Sequence, residues 1–269
     1  MPKRLTVAPN ATYPLKRKSE RKMATTLKAM FKATKQHVLP DVVEAYRQVV
    51  EEHRKGLHDE LAYILKQLDL SAWQDSVDDL AEPLSDVQAE AASKALAQLA
   101  VDDSKLFDRV NADVVAAAEN CAAGLVGMKY VDGELVENPS AVYAITETTR
   151  SGIKDLVTSS LTDGLTVDEL SSKLQQAYQF SDTRAEMIAR TELATAHVQG
   201  TLTAWKGTGQ VDSKSWVVGS GETCAECESN EDDGEIGIDE GFSSGDDSPP
   251  AHPNCVCVLI AGLKDTEEE

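Results

Sequence analysis

The sequence predicts a mainly α protein: a helical N-terminal module, then an α+β C-terminal domain with a small β element and a Cys/His-bearing loop. Three observations predict it. Apolar residues recur at three- and four-residue steps over most of the first 125 positions, the period of a helix buried on one face. Aromatics make up only 5% of the chain, which suits Ala-, Leu- and Val-packed helices better than a β-sandwich. Four of the five cysteines fall in two clusters near the C-terminus, Cys224-x2-Cys227 and His252-x2-Cys255-Val-Cys257, with an acidic Gly/Ser/Asp-rich stretch between them.

Residues 1–14 hold three prolines and no periodicity, so they read as an irregular arm. Leu15 to Val38 reads as a basic amphipathic helix whose stripe of Met23, Leu27, Met30, Phe31 and Val38 suits docking to a protein partner. Pro40 restarts the chain. A long helical stripe then runs to about Asp69, with Gly56 as its weak point. Ser71 caps a short helix that should end before Pro83, since proline removes a backbone donor and clashes with the preceding turn. Ser85 opens an alanine-rich helix to about Ala100. The next helix, Asp103 to Leu125, places Leu106, Val110, Val114, Ala117, Cys121 and Leu125 on its buried stripe, making Cys121 a buried free thiol.

Met128 to Val136 alternates around Asp132-Gly133, a hairpin signal, and Asn138-Pro139 marks a domain boundary. A helix from Ala141 to about Leu161 follows. Thr166 and Glu169 form a capping box ahead of Leu170 and Leu174. Ser181 or Asp182 caps a long helix to about Lys206, which Gly207 and Gly209 end. Val211–Val218 and Cys255–Ile260 read as strands flanking the two Cys clusters. The expected organisation is 1–40 basic arm and amphipathic helix, 41–138 helical module, 139–264 C-terminal domain and 265–269 acidic tail. No apolar run is long enough to cross a membrane, and the N-terminus lacks the apolar core of a signal peptide.

Charge is distributed unevenly. Residues 1–35 carry ten Lys/Arg against Glu20 alone, about +9, which leaves about −29 for the rest of a chain whose net charge is −20. Lys16, Arg17, Lys18, Arg21, Lys22, Lys28, Lys32 and Lys35 are the candidate partner-binding residues, because a basic arm on an acidic body is an electrostatic docking element. DNA is one candidate target. The acidic body argues against broad DNA contact elsewhere, since phosphate repels it.

Thiolates and imidazoles in two x2-spaced clusters are what a tetrahedral zinc site requires. Cys224, Cys227, His252 and Cys255 make the favoured set. Cys257 can substitute, because positions 255 and 257 of a strand face the same side. The result is a zinc-knuckle loop, its acidic stretch offering little apolar surface of its own. Reduced thiols or a disulfide remain the alternatives, and residues 228–240 lack the spacing of a calcium loop. Four closed ligands would make the metal structural, not catalytic.

In the long helix, apolar residues around Arg184, Arg190 and Glu192 cover almost the whole circumference, so it should be buried on several sides. Arg190 and Glu192 point apart, and each buried charge needs a partner on another element. The three are candidate structural polar residues, with no catalytic residue among them.

The C-terminal half resembles the phage Mu F-like domain of tailed-phage head morphogenesis (minor head) proteins. The likeness runs in order through Arg184-Ala, Ile188-Ala-Arg-Thr-Glu192, Ala196, Gly200 and Trp216. It continues through Thr223-Cys-x2-Cys227 and Pro249-Pro-Ala-His-Pro-Asn-Cys-Val-Cys257, covering about residues 140–262. Val256 stands where the family usually has a basic residue, and His197 where it often has Asn. The resemblance implies a minor head protein at the portal vertex of the virion, found in the host cytoplasm during assembly. It would bind portal protein, with scaffold or major capsid protein as further partners, and assist procapsid assembly, genome packaging or delivery. The rival reading is an ejected effector or hydrolase, a nuclease or protease using the Cys/His cluster. The sequence carries no His-Glu-x-x-His, zinc-deaminase or Gly-x-Ser-x-Gly signature to support an enzyme.

Overall fold

The computed structural model describes residues 4–6, 14–52, 57–101, 103–141, 144–219 and 224–264. It is mainly α, with the β structure concentrated towards the C-terminus. The elements run β1 (Arg4–Thr6), α1 (Pro14–His37), α2 (Leu39–Glu52), α3 (Leu57–Leu65), a 3-10 turn (Ser71–Ser76), α4 (Val77–Gln98) and α5 (Ser104–Leu125). There follow β2 (Met128–Val131), β3 (Glu134–Glu137), α6 (Ile145–Thr162), α7 (Val167–Gln175), a second 3-10 turn (Tyr178–Phe180) and α8 (Asp182–Thr208). The chain ends with β4 (Val211–Val217), α9 (Ala225–Asp232), β5 (Glu235–Gly237) and β6 (Val258–Leu263). No described helix is long and apolar enough to cross a membrane.

Two compact units form, each from separated stretches of chain. One comprises Met23–Ala81 and Asn120–Glu186. Its core takes Met23, Leu27, Met30 and Phe31 from α1, so the stripe expected to dock on a partner is buried within this chain. Phe31 lies 5.7 Å from the Trp73 ring and 6.1 Å from that of Phe180. The Trp73 indole N–H donates to Thr34 Oγ1 at 2.9 Å, and the buried Tyr46 hydroxyl donates to the carbonyls of Leu165 (2.8 Å) and Ser160 (3.1 Å). These bonds let amphipathic rings be buried without stranding their polar ends. The Thr166 capping box is present at the start of α7. Asp132 and Gly133 both adopt positive φ in the β2–β3 turn, as a two-residue hairpin requires.

The other unit comprises Met1–Lys22, Glu82–Glu119 and Met187–Glu269. Its sheet has the order β1-β6-β4-β5, each neighbouring pair antiparallel. Alternation along β4 turns Lys214 and Trp216 to the buried side, paired with Ala261 and Leu259 of β6. The core joins Leu106, Val110 and Val114 of α5 to Leu202 and Trp205 of α8 and to Trp216 and Leu259 of the sheet.

Several local expectations change. Arg4–Thr6 is not irregular: it pairs with Ile260–Gly262 and extends the sheet. Three residues are too few to show a period, and their order comes from the β6 edge they pair with. The rest of the 1–13 arm, Gly56 and the acidic tail lie outside the described residues. Pro83 does not separate two helices but sits inside α4. Leu80, Pro83, Leu84 and Val87 are all buried, and their packing outweighs a proline penalty of about 3 kcal/mol. On α5 the buried stripe leaves Val114 by four-residue steps to Ala118 and Ala122, not by way of Ala117 and Cys121. Cys121 is therefore half-buried. The second cluster precedes β6, which starts at Val258 instead of Cys255.

Candidate metal centre

Cys224 caps the N-terminus of α9, its sulfur accepting the Cys227 backbone N–H at 3.4 Å. That bond holds the Cys224 thiol below its ordinary pKa, and the first turn of the helix carries Cys227 inward. The x2 spacing thus acts through a helical turn and not through an irregular loop. From the other cluster, the His252 Nε2 atom lies 3.5 Å from Cys227 Sγ, and Cys255 Sγ lies 3.8 Å from the same sulfur. Ligand atoms of Cys224, Cys227 and His252 fall within 4.8 Å of one another, as do those of Cys227, Cys255 and Cys257. Cys227 belongs to both triplets, so all five expected ligand candidates gather around one sulfur.

Two separations, Cys227 to His252 and Cys227 to Cys255, fit a metal. Zinc bonds of about 2.3 Å to sulfur and 2.0–2.1 Å to nitrogen give tetrahedral edges of about 3.8 Å between sulfurs and about 3.5 Å between sulfur and nitrogen. A disulfide would hold its sulfurs about 2.05 Å apart, and none of the five cysteines is in a disulfide. His252 Nδ1–H donates to the Pro253 carbonyl at 3.0 Å, which leaves Nε2 as the lone-pair atom facing Cys227, the tautomer a metal ligand needs. Burial raises the pKa of both Cys227 and Cys255, and the neighbouring sulfurs add to it. A cation entering the cluster would have to displace those protons.

The acidic stretch between the clusters does have a core. Phe242 is buried edge-on against Trp216, with ring centroids 5.2 Å apart. Lys214, almost fully buried on β4, sets its ammonium 5.5 Å from the Phe242 ring centre. Burial lowers the Lys214 pKa, while Asp247, Asp239 and Glu240 partly restore it. Lys206 pairs with Asp239 at 2.8 Å. Sequence reasoning missed this anchor. Its traces were a lone aromatic in an acidic run and a lysine on the buried phase of a strand.

The polar residues of α8 separate into different settings. Arg184 is 6% exposed and its guanidinium donates to Thr149 Oγ1 (2.7 Å), Thr148 Oγ1 (2.8 Å) and the Gln179 carbonyl (2.6 Å), with Phe31 5.4 Å from its centre. Arg190 is exposed, not buried, and donates to Asn254 Oδ1 at 2.7 Å. The Asn254 backbone N–H in turn donates to Thr191 Oγ1 at 3.3 Å, so α8 holds the residue beside Cys255. Asn254, with φ of 61°, had not stood out in the sequence. Glu192 is half-buried and burial raises its pKa to about 7. His197 is buried and its pKa falls to about 4, through burial first and then Lys16 and Lys94.

The basic residues of α1 also separate. Lys16 is buried, Lys22 pairs with Glu82, and Lys28 pairs with Glu186 (2.6 Å) and Asp182 (3.4 Å). Arg17, Lys18, Arg21 and Lys32 are exposed and Lys35 is half-buried.

The family model described as phage Mu protein F like protein matches residues 151–260. This segment is similar to that family. The matched segment includes α7, α8, β4, α9, β5 and the whole Cys/His cluster. No curated protein and no solved structure matches the chain.

Proposed function

We propose that the chain is a minor head protein of a tailed phage, located at the portal vertex of the virion, with a zinc ion tying its C-terminal clusters together. The match of residues 151–260 to the phage Mu F-like family carries this reading, and the two ligand triplets that share Cys227 support the metal. Cys224, Cys227, His252 and Cys255 are the proposed ligands, with Cys257 as the substitute. Zinc would stabilise this part of the fold and take no part in catalysis. Arg184, Arg190 and Glu192 serve to position α8.

In this reading the protein binds portal protein and assists procapsid assembly, packaging or delivery. Arg17, Lys18, Arg21 and Lys32, which are exposed, and the half-buried Lys35 are the residues proposed for electrostatic docking. Removing the whole N-terminal segment is a poor test, because Met23, Leu27, Met30 and Phe31 are core. A pull-down of portal protein by the intact chain, against a variant with Arg17, Lys18, Arg21, Lys32 and Lys35 changed to Gln, tests the reading. Retention by the intact chain that weakens in the variant and with salt is expected. Absence of portal retention by the intact chain at low salt would overturn it.

A further inference from the structure

Beside the Cys/His cluster lies a cavity of about 560 Å³, within the range of about 300–1,000 Å³ common for small-molecule sites. Lys16 and Arg17 of α1 and Arg190 of α8 bring three cationic side chains to its lining, against the single carboxylate of Glu20. The rest is largely apolar: Val217, Val256 and Val258. A site with a lining charge of +2 is out of character for a chain of net charge −20.

Two of the cationic groups, Lys16 and Arg190, are held in place. Lys16 is 3% exposed, so its stem is fixed by packing and little ordering entropy remains to be lost on binding. Its pKa is lowered to about 8, by burial first and with Arg190 adding to the effect against the pull of Glu20. The two cations are thus near enough to repel, an arrangement that a bound anion relieves. Arg190 is aimed by its bond to Asn254, whose own backbone is bonded to Thr191. At the rim, a side chain at Gly219 would overlap the Val256 carbonyl, so glycine keeps that edge of the cavity closely joined. Val256 itself is 51% exposed.

We infer that this cavity binds a phosphorylated organic ligand, a nucleoside phosphate, with the phosphate against Lys16, Arg17 and Arg190 and the nucleoside against the valines. Charge decides between anions. A lining of +2 matches a phosphate monoester near −2, whereas a single carboxylate leaves one cation unneutralised. Volume decides between ligands: inorganic phosphate fills a small part of the space, and the apolar part of the lining gives it nothing to contact. The nucleoside phosphate can come from a free nucleotide or from the phosphorylated end of a nucleic-acid strand. The inference does not depend on the portal reading.

Calorimetric titration of the full chain with AMP, adenosine, inorganic phosphate and a 5′-phosphorylated single-stranded oligonucleotide tests it. One saturable AMP site per chain is expected, with adenosine and phosphate each binding about tenfold or more weakly. Arg190→Gln, and separately Val256→Glu, which sets a carboxylate at the exposed rim, should each weaken AMP binding about tenfold or more. Val256→Glu should keep the ligand-free melting temperature, which shows that its folding is intact; Arg190→Gln, which also gives up the Asn254 bond, is compared with it for binding only. Oligonucleotide binding that is tighter than AMP, and competes with it, would assign the source as nucleic acid; the reverse would assign a free nucleotide. No saturable binding of AMP or oligonucleotide, or binding that both substitutions leave unchanged, would overturn the inference.

Discussion

Arg184 shows how much one side chain can fix. Its guanidinium reaches two threonine hydroxyls and a backbone carbonyl, of which the Thr149 hydroxyl is fully buried. Removing it leaves those acceptors short of a donor, which costs more than the bonds themselves contribute. Arg184→Met should therefore lower unfolding stability by about 3 kcal/mol, and Arg184→Lys should recover little, because an ammonium cannot span three acceptors in a plane. Urea unfolding measures both, and a lysine variant equal to the parent would refute the clamp.

His197 and Glu192 make opposite pH predictions. The His197 pKa is depressed to about 4, so its contribution is present above about pH 6.5 and is lost as pH falls towards 4. The Glu192 pKa is raised to about 7, so its contribution is present below about pH 4.5 and is lost as pH rises towards 7. Relative to the parent, His197→Asn should gain stability on acidification and Glu192→Gln should gain it on raising the pH, each on the order of 1 kcal/mol. Comparing variants with parent at each pH cancels any acid loss of metal. Parallel stability curves for all three proteins would show that neither group is shifted.

At the scale of elements, periodicity identified most helices and failed where two solutions were nearly equal. On α5, steps of three and of four from Val114 both continue an alanine-rich stripe, and only the neighbouring elements select Ala118 and Ala122 over Ala117 and Cys121. Pro83 marked a helix end by local chemistry and was overruled by the burial of its neighbours. Gly200 was legible as a position within the family likeness, but not its cause. Its Cα faces the Gln88 backbone of α4 so closely that a Cβ would overlap the Gln88 carbonyl. No flexible side chain end can yield there, so the helices themselves must part. Gly200→Ala should destabilise by about 1–3 kcal/mol, despite alanine's better helix propensity. A stabilised Gly200→Ala protein in urea unfolding would rule out this close crossing.

For the whole molecule, the residue types of the candidate centre were readable because thiols and imidazoles at x2 spacing have few other common uses. Their setting was not readable: β5 pairs with β4, and the Phe242 anchor depends on Trp216 and Lys214 of that strand, contacts that spacing along the sequence does not reveal. The acidic segment is therefore held in two ways, by the thiol cluster at its ends and by Phe242 and Lys214 in its middle. The two make different predictions for metal removal. If zinc ties the clusters, chelation should expose backbone amides at 224–228 and 252–257 in hydrogen exchange, since the helix cap at Cys224 and the turn at His252 lose their common tie. Residues 236–246 should keep more of their protection, because the Phe242–Trp216 contact buries apolar surface with or without an ion. Phe242→Ala should reverse the pattern, loosening 236–246 while the zinc content stays near one per chain. Exchange that chelation leaves unchanged everywhere would mean that packing alone closes the segment and that no structural metal is present.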